Sequence, residues 1–130
     1  MPTLLILTVR STTVSTAVMA RLAPRGARQF KIGEQVPGVP NRRYHDNLVM
    51  ASWEDVERPE NWLRAMRLLS CTLAKIKRFK RRGDLQAAIH VSFVEPTMMS
   101  NYFELPPAFV ALLSAVSCEI TMNVAGDLPD

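Results

Sequence analysis

The sequence predicts a single α+β domain in which helices pack on one antiparallel sheet. The chain has 130 residues, of which 48% are hydrophobic, and this is enough for one domain with one core. Five short segments have the apolar runs or the alternation of β-strands, and three others have helical spacing or helix-capping residues. We expect this domain to span residues 1–125 and residues 126–130 to form a short acidic tail.

The first strand and the first helix are predicted near the N-terminus. Residues 3–9 form an apolar run that is typical of a central strand covered on both faces. A short helix follows, and we expect it to end near Ala23 because Pro24 and Gly26 stop it. Its candidate N-caps are Ser11, Thr12, Thr13 and Ser15.

Two more strands are predicted before the next helix. Residues 28–32 form the second strand, with Phe30 and Ile32 directed into the core. Residues 33–41 hold two glycines and two prolines and are therefore assigned to a loop. Residues 48–53 form the third strand.

A long helix with two opposite faces is predicted from Pro59 to Arg82. Its apolar stripe consists of Trp62, Met66, Leu69, Leu73 and Ile76. Its cationic stripe consists of Arg64, Arg67, Lys75, Arg78 and Arg82. At ~100° per residue the two stripes lie about 180° apart. Pro59 suits the first turn, and Gly83 is expected to supply a left-handed stop.

The C-terminal third adds a strand, a loop, a helix and a last strand. Residues 85–94 alternate as a half-buried strand does, and residues 95–104 form a loop. Pro106 and Pro107 open a helix whose apolar side holds Phe109, Val110, Leu113 and Val116. Residues 118–124 form the last strand, with Cys118, Ile120, Met122 and Val124 directed inward.

The order along the chain is therefore β-α-β-β-α-β, followed by α-β. The first six elements have the split βαβ, or ferredoxin-like, order, in which both helices lie on one face of an antiparallel sheet. We expect the apolar stripe of the long helix to pack on that face.

We expect a soluble, cytoplasmic and moderately basic protein. The formal charge is +4 and the pI is about 9.5, which is less basic than is usual for a dedicated nucleic-acid-binding protein. The N-terminal apolar run is cut short by Arg10, so it does not resemble a signal peptide. No window approaches the ~18 apolar residues of a membrane span.

The sequence offers no evident reaction centre. Its His and Cys residues lie far apart, whereas zinc ligands usually come in pairs about two to five residues apart, so neither metal nor cofactor is expected. Serine-hydrolase, Walker and dinucleotide motifs are absent from the sequence. Cys71 lies between Arg67 and Lys75, which suits either a reactive thiol or, as we favour, a small surface residue. His90 is interpreted as a sheet-surface histidine, and we expect a protein that is not an enzyme.

Two surfaces are candidates for binding. The cationic stripe could contact an acidic protein, contact phosphates or remain solvated. The predicted loop carries Met98, Met99 and Tyr102, which are residue types common at protein interfaces. RNA-binding domains of this fold stack bases on sheet aromatics. Here Phe30 and Phe93 are both predicted to be core residues, which weighs against nucleic acid.

Residues 87–124 resemble the end of a bacterial domain-of-unknown-function family, number 4279. Residues 103–107 (FELPP) correspond to its helix start, residues 22–24 (LAP) to its L-x-P motif, and residues 31–34 (KIGE) to its K-x-G-[DE] motif. Trp53 corresponds to the family's tryptophan strand. Pro106 replaces the usual capping serine. The resemblance implies an immunity protein, encoded beside a secreted polymorphic toxin, and it carries over no catalytic residue.

Three functions are compatible with these observations. The first is a non-enzymatic protein-binding module, an immunity protein that neutralises a cognate toxin in the cytoplasm. Since a basic inhibitor would be repelled by a basic cleft, we expect a toxin other than a nuclease with such a cleft. The alternatives are a nucleic-acid-binding domain that uses the cationic stripe, and a small ligand-sensing or enzymatic domain of ferredoxin-like fold.

Overall fold

A computed structural model describes residues 2–93 and 104–124 of the chain. Its elements are β1 (Leu4–Ser11), α1 (Thr16–Leu22), β2 (Arg28–Phe30), β3 (Asn47–Glu54), α2 (Pro59–Arg78), a 3₁₀ turn (Arg82–Asp84), β4 (Gln86–Phe93), α3 (Pro107–Ala115) and β5 (Glu119–Val124). The protein is α+β, as predicted, and the predicted order of strands and α-helices is confirmed. None of the helices in the described ranges is long and apolar enough to cross a bilayer.

The five strands form one mixed sheet in the order β2-β3-β1-β4-β5. β1 is antiparallel to both β3 and β4, and β2 is antiparallel to β3. β4 and β5 are parallel, so the prediction of a purely antiparallel sheet is wrong. The physical reason is the connection between them: α3 lies in it, and a helical crossover returns the chain in its original direction.

The core lies between one face of this sheet and the helices. Leu5, Leu7 and Val9 of β1 are at most 1% exposed, and they form one cluster with Met19 of α1 and Phe109 of α3. The alternate β1 residues point to the opposite face, where Leu4, Ile6 and Thr8 are half-buried and Arg10 is exposed. β1 is therefore covered by helices on one face, whereas its apolar run predicted cover on both. We call the other side of the sheet the open face.

The ends of α1 follow from its flanking residues. The Ser15 hydroxyl caps the helix by accepting a 3.3 Å hydrogen bond from the Val18 N–H, so one of the four candidate N-caps is the actual one. Ser11 lies earlier and its hydroxyl accepts the Val14 N–H at 2.9 Å. The helix ends at Leu22, close to the predicted end, and the Ala23 N–H bonds to the Met19 carbonyl.

The second strand is shorter than predicted, and its side chains point elsewhere. β2 ends at Phe30, which pairs with Leu48 and so lies on the open face, half-buried, with its ring 5.0 Å from that of Tyr44. Ile32 lies beyond the strand and is 48% exposed. The prediction that both residues enter the core is wrong: within β2 it is Gln29 that pairs with the core residue Val49, so Phe30 falls on the opposite face, and Ile32 lies beyond the end of the strand.

The apolar stripe of α2 is confirmed. Met66, Leu69, Leu73 and Ile76 are buried and Trp62 is half-buried. The helix ends at Arg78 rather than Arg82, because Phe79 leaves the helical conformation and packs against the core. Gly83 lies in the following 3₁₀ turn and has no positive φ, so it is not the predicted left-handed stop.

The C-terminal elements cover less apolar surface than their patterns predict. In α3, Phe109 and Leu113 are buried but Val110 is 48% exposed. In β5, Ile120 and Met122 pair with the core residues Ile89 and Val91 and so face the helix side of the sheet, as predicted. They are nevertheless 37% and 63% exposed, so they are not buried as core residues are. The cause is position: β5 is the outermost strand, and α3 packs chiefly against α2. The side chain of Val124 and the residues of the predicted acidic tail lie outside the described part.

Candidate functional site

The predicted cationic stripe lies on the outer face of α2. Arg64, Arg67, Lys75 and Arg78 are all exposed, opposite the buried stripe, and Arg64 and Arg78 are about 21 Å apart along the axis at ~1.5 Å per residue. Arg82 does not continue the row, because it follows the end of the helix and its guanidinium donates to the Lys77 carbonyl at 3.0 Å. The structure therefore groups four of the five predicted cations.

The four cations lack a carboxylate partner among the described residues. The ion pair in the described ranges joins two other residues, Arg81 and Asp84 at the 3₁₀ turn, with 2.9 Å between Nε and Oδ2. The acidic residue of α2 itself is Glu60, which lies in the first turn and forms no ion pair with the four cations. The stripe thus presents a positive potential that a negatively charged partner could neutralise.

An apolar residue that the sequence did not single out borders the stripe. Leu63 is 68% exposed and lies about 40° around the helix from Arg67, at ~100° per residue. A cationic row beside an exposed leucine is a typical arrangement at a protein interface, where an apolar contact is flanked by charge. The sequence contains a signal that could have identified Leu63. It lies outside the apolar stripe, at a position where the exposed side of a helix normally carries a polar residue.

A cleft of about 470 Å³ opens at the N-terminal end of the stripe. It lies between the turn that joins α1 to β2, the outer edge of β3 and the first turns of α2. Arg64 lines this cleft, so one residue belongs both to the stripe and to the concave site. Sequence reasoning missed the cleft because it depends on how three separate segments are brought together.

A cluster of aromatic and arginine side chains occupies one end of the open face. The Arg28 guanidinium carbon lies 5.2 Å above the centre of the Phe30 ring, which also packs on Tyr44. Phe93, by contrast, is 4% exposed and belongs to the core, as predicted. The sequence argument against nucleic acid was that both rings are buried in the core and cannot stack on bases. The structure agrees with that argument for Phe93 but not for Phe30, which lies on the open face.

His90 lies on the same open face, as its position opposite Ile89 predicted. Its Nδ1 is 2.7 Å from the Thr121 hydroxyl and its Nε2 is 3.1 Å from the Asn123 amide oxygen. Because both ring nitrogens have partners on β5, the imidazole tethers two parallel strands. These two contacts indicate that the His90 ring has a structural role.

The two cysteines differ in environment. Cys71 is exposed on the stripe, as its interpretation as a small surface residue predicted. Cys118 is half-buried; burial raises the pKa of its thiol to about 11, the charge of Glu119 adds to the shift, and a backbone hydrogen bond with Ile89 opposes it. Within the described ranges no three His, Cys, Asp or Glu residues come together as a metal site would require.

The second predicted surface cannot be placed. Met98, Met99 and Tyr102 lie outside the described residues, so the candidate site consists of the stripe, Leu63 and the cleft. Comparison with protein families, with curated proteins and with solved structures found no match to this chain.

Proposed function

We propose that this chain is a non-enzymatic protein-binding module that acts in the cytoplasm as an immunity protein and neutralises a cognate secreted toxin. The observation that carries the proposal is the row of exposed cations on α2, bordered by exposed Leu63. Neighbouring like charges on a helix repel each other weakly, and an acidic partner would replace that repulsion with attraction. The resemblance of residues 87–124 to an immunity-protein-like family supports the same function.

We also propose that β1 to β4, with α1 and α2, form a ferredoxin-like unit to which α3 and β5 are added. The order β2-β3-β1-β4, with each neighbouring pair antiparallel, supports this. In such a unit the outer face of α2 is remote from the sheet, which leaves the stripe accessible to a partner.

The partner is expected to carry acidic residues where it contacts the stripe. A toxin whose active-site cleft is strongly basic, as in many nucleases, would be repelled by this surface. Contact between such a basic cleft and the stripe, from Arg64 to Arg78, would contradict the proposal.

The test is affinity purification from the native host, followed by reconstitution of the complex from purified partner. The double variant Arg67→Glu/Lys75→Glu should bind at least about tenfold more weakly than the wild type, because two attractions become repulsions. A matched control, Lys31→Glu/Arg42→Glu, makes the same change in net charge on an exposed loop and should bind normally. If both variants weakened binding equally, the effect would be due to net charge alone, and the stripe would not be the interface.

Single-stranded nucleic acid is a second candidate, because one observation favours it. Arg28, Phe30 and Tyr44 lie together on the open face, and aromatic and arginine side chains are what such ligands stack on. A gel shift with an oligothymidine at low salt tests this, and Tyr44→Ala should weaken any binding. Affinity should fall with salt by about 0.7 of a log–log unit per phosphate neutralised. Absence of a shift removes this candidate.

A further inference from the structure

The outer edge of β3 is half covered and half uncovered. β2 pairs with residues 48–50, whereas β1 pairs with β3 along its whole length. On the side away from β1, residues 51–54 therefore have no strand partner among the described residues. The backbone N–H and C=O groups of alternate residues on such an edge are available to another extended chain.

A tight turn causes this exposure. The Ala27 N–H donates to the Pro24 carbonyl at 3.2 Å, and Gly26 has φ +85°, as the third residue of a type II turn requires. The turn directs the chain away from the sheet, so β2 begins at Arg28, opposite Met50. A longer β2 would have covered residues 51–54, and the turn prevents it.

The 470 Å³ cleft lies along this same uncovered edge. Its charged lining consists of Arg25, Arg28 and Arg64 against a single carboxylate, that of Glu54. Half-buried Trp53 and Leu68 add apolar surface. The site thus combines main-chain hydrogen-bonding groups, an aromatic contact and an excess of arginine.

We propose that this cleft binds an extended acidic segment of the partner protein, which adds as a strand along residues 51–54. This inference rests on the proposed function and specifies where and how the partner binds. Strand addition explains the uncovered edge, and charge complementarity selects acidic side chains. Arg28 lies on the open-face side of the sheet and Arg64 lies on the helix side, so carboxylates at successive positions of the segment meet cations on both sides.

The probe is the blocked peptide acetyl-TVEEVT-amide, in which the two neighbouring glutamates point to opposite faces of a strand. Titrated into the ¹⁵N-labelled protein, it should shift the backbone amide signals of residues 51–54 and slow their hydrogen exchange. The variant Arg25→Glu/Arg64→Glu should weaken binding at least about tenfold, whereas Lys31→Glu/Arg42→Glu should not. The lysine analogue acetyl-TVKKVT-amide should not bind.

Three results would overturn the proposal. Shifts confined to other surfaces, or none at millimolar peptide, would show that the edge does not accept a strand. Equal binding by a peptide with N-methylated alternate amides would show that main-chain hydrogen bonds are not used. Tighter binding of an oligothymidine in the same cleft would assign it to nucleic acid. If the probe fails while the native complex still depends on Arg67 and Lys75, the cleft is wrong and the proposed function stands.

Discussion

The two faces of α2 obey different physical constraints although they share one backbone. The inner face is fixed by packing: Leu69 and Leu73 are 0% exposed and contribute to the single core. The outer face carries exposed cations that contact no described carboxylate, so packing does not fix their identity, although Lys75 and Arg78 lie in the last turn and interact favourably with the helix dipole. A helix that keeps such a surface without a structural need for it has a face available for recognition. The comparison separates residues that determine folding from residues that can determine binding.

The largest expected effect comes from truncating the inner face. Leu69→Ala should lower the free energy of unfolding by about 2–5 kcal/mol, because it removes buried methylenes and leaves a cavity. Leu63→Ala is the matched control: the same substitution on the same helix at a residue that is 68% exposed should change it by less than about 0.5 kcal/mol. Urea titration followed by circular dichroism measures both. Similar losses in the two variants would mean that α2 is not divided into a buried and a solvated face.

The variant Leu63→Ala also distinguishes the outer face of α2 from the inner face when the affinity for the partner is measured. If the outer face is an interface, Leu63→Ala should weaken the complex while leaving stability unchanged, since an exposed leucine beside the stripe gains its burial only from the partner. Leu69→Ala should affect binding only as far as it unfolds the protein.

The division of α2 could be predicted from the sequence because helical periodicity is local. The spacing of Leu69, Leu73 and Ile76 requires one buried face wherever the helix is placed. Its C-terminal end could not be predicted: Gly83 is the stronger local signal, yet packing of Phe79 against the core ends the helix earlier.

The sheet and the site were less predictable, because they depend on neighbours. Alternation in residues 118–124 identifies a strand but does not say that it lies parallel to β4 at the rim, where Met122 is exposed. The sequence does predict that the second strand begins at residue 28, after Pro24 and Gly26, but it does not show that this start leaves the edge of β3 uncovered. The cleft is created by a missing strand neighbour, and no residue type in the sequence marks such a gap.

A second, smaller effect concerns the start of α2. Its N-cap is Arg58, which makes no side-chain capping bond and places a cation at the positive end of the helix dipole. Arg58→Asp should raise the free energy of unfolding by about 1 kcal/mol, since the residue already has extended φ and ψ. Arg58→Ala removes the cation without adding an acceptor and should gain less. Equal stability of the Asp and Ala variants would show that capping contributes nothing here.

The smallest expected effect on stability comes from the two cysteines, which differ in the same way as the two faces of α2. Cys71 is exposed and Cys118 is half-buried. The variant Cys118→Ser retains exposed Cys71 and should react with iodoacetamide rapidly at pH 8. The variant Cys71→Ser retains Cys118, which burial both shields and keeps protonated, and it should react much more slowly. Equal rates would mean that the start of β5 is as accessible as the outer face of α2.

The same thiol gives a pH dependence whose sign can be worked out. The folded protein raises the pKa of Cys118 from 9.0 to about 11, so folding favours the neutral thiol. Below pH 9.0 both folded and unfolded chains hold the proton and this contribution to stability is complete. As pH rises toward 11 the unfolded chain loses its proton first, and the free energy of unfolding falls. Urea titrations of Cys71→Ser and of Cys71→Ser/Cys118→Ser should therefore diverge across this interval, with the variant that retains Cys118 losing more stability. Parallel curves would show that the folded and unfolded thiols titrate alike, and that the start of β5 is solvated like the outer face of α2.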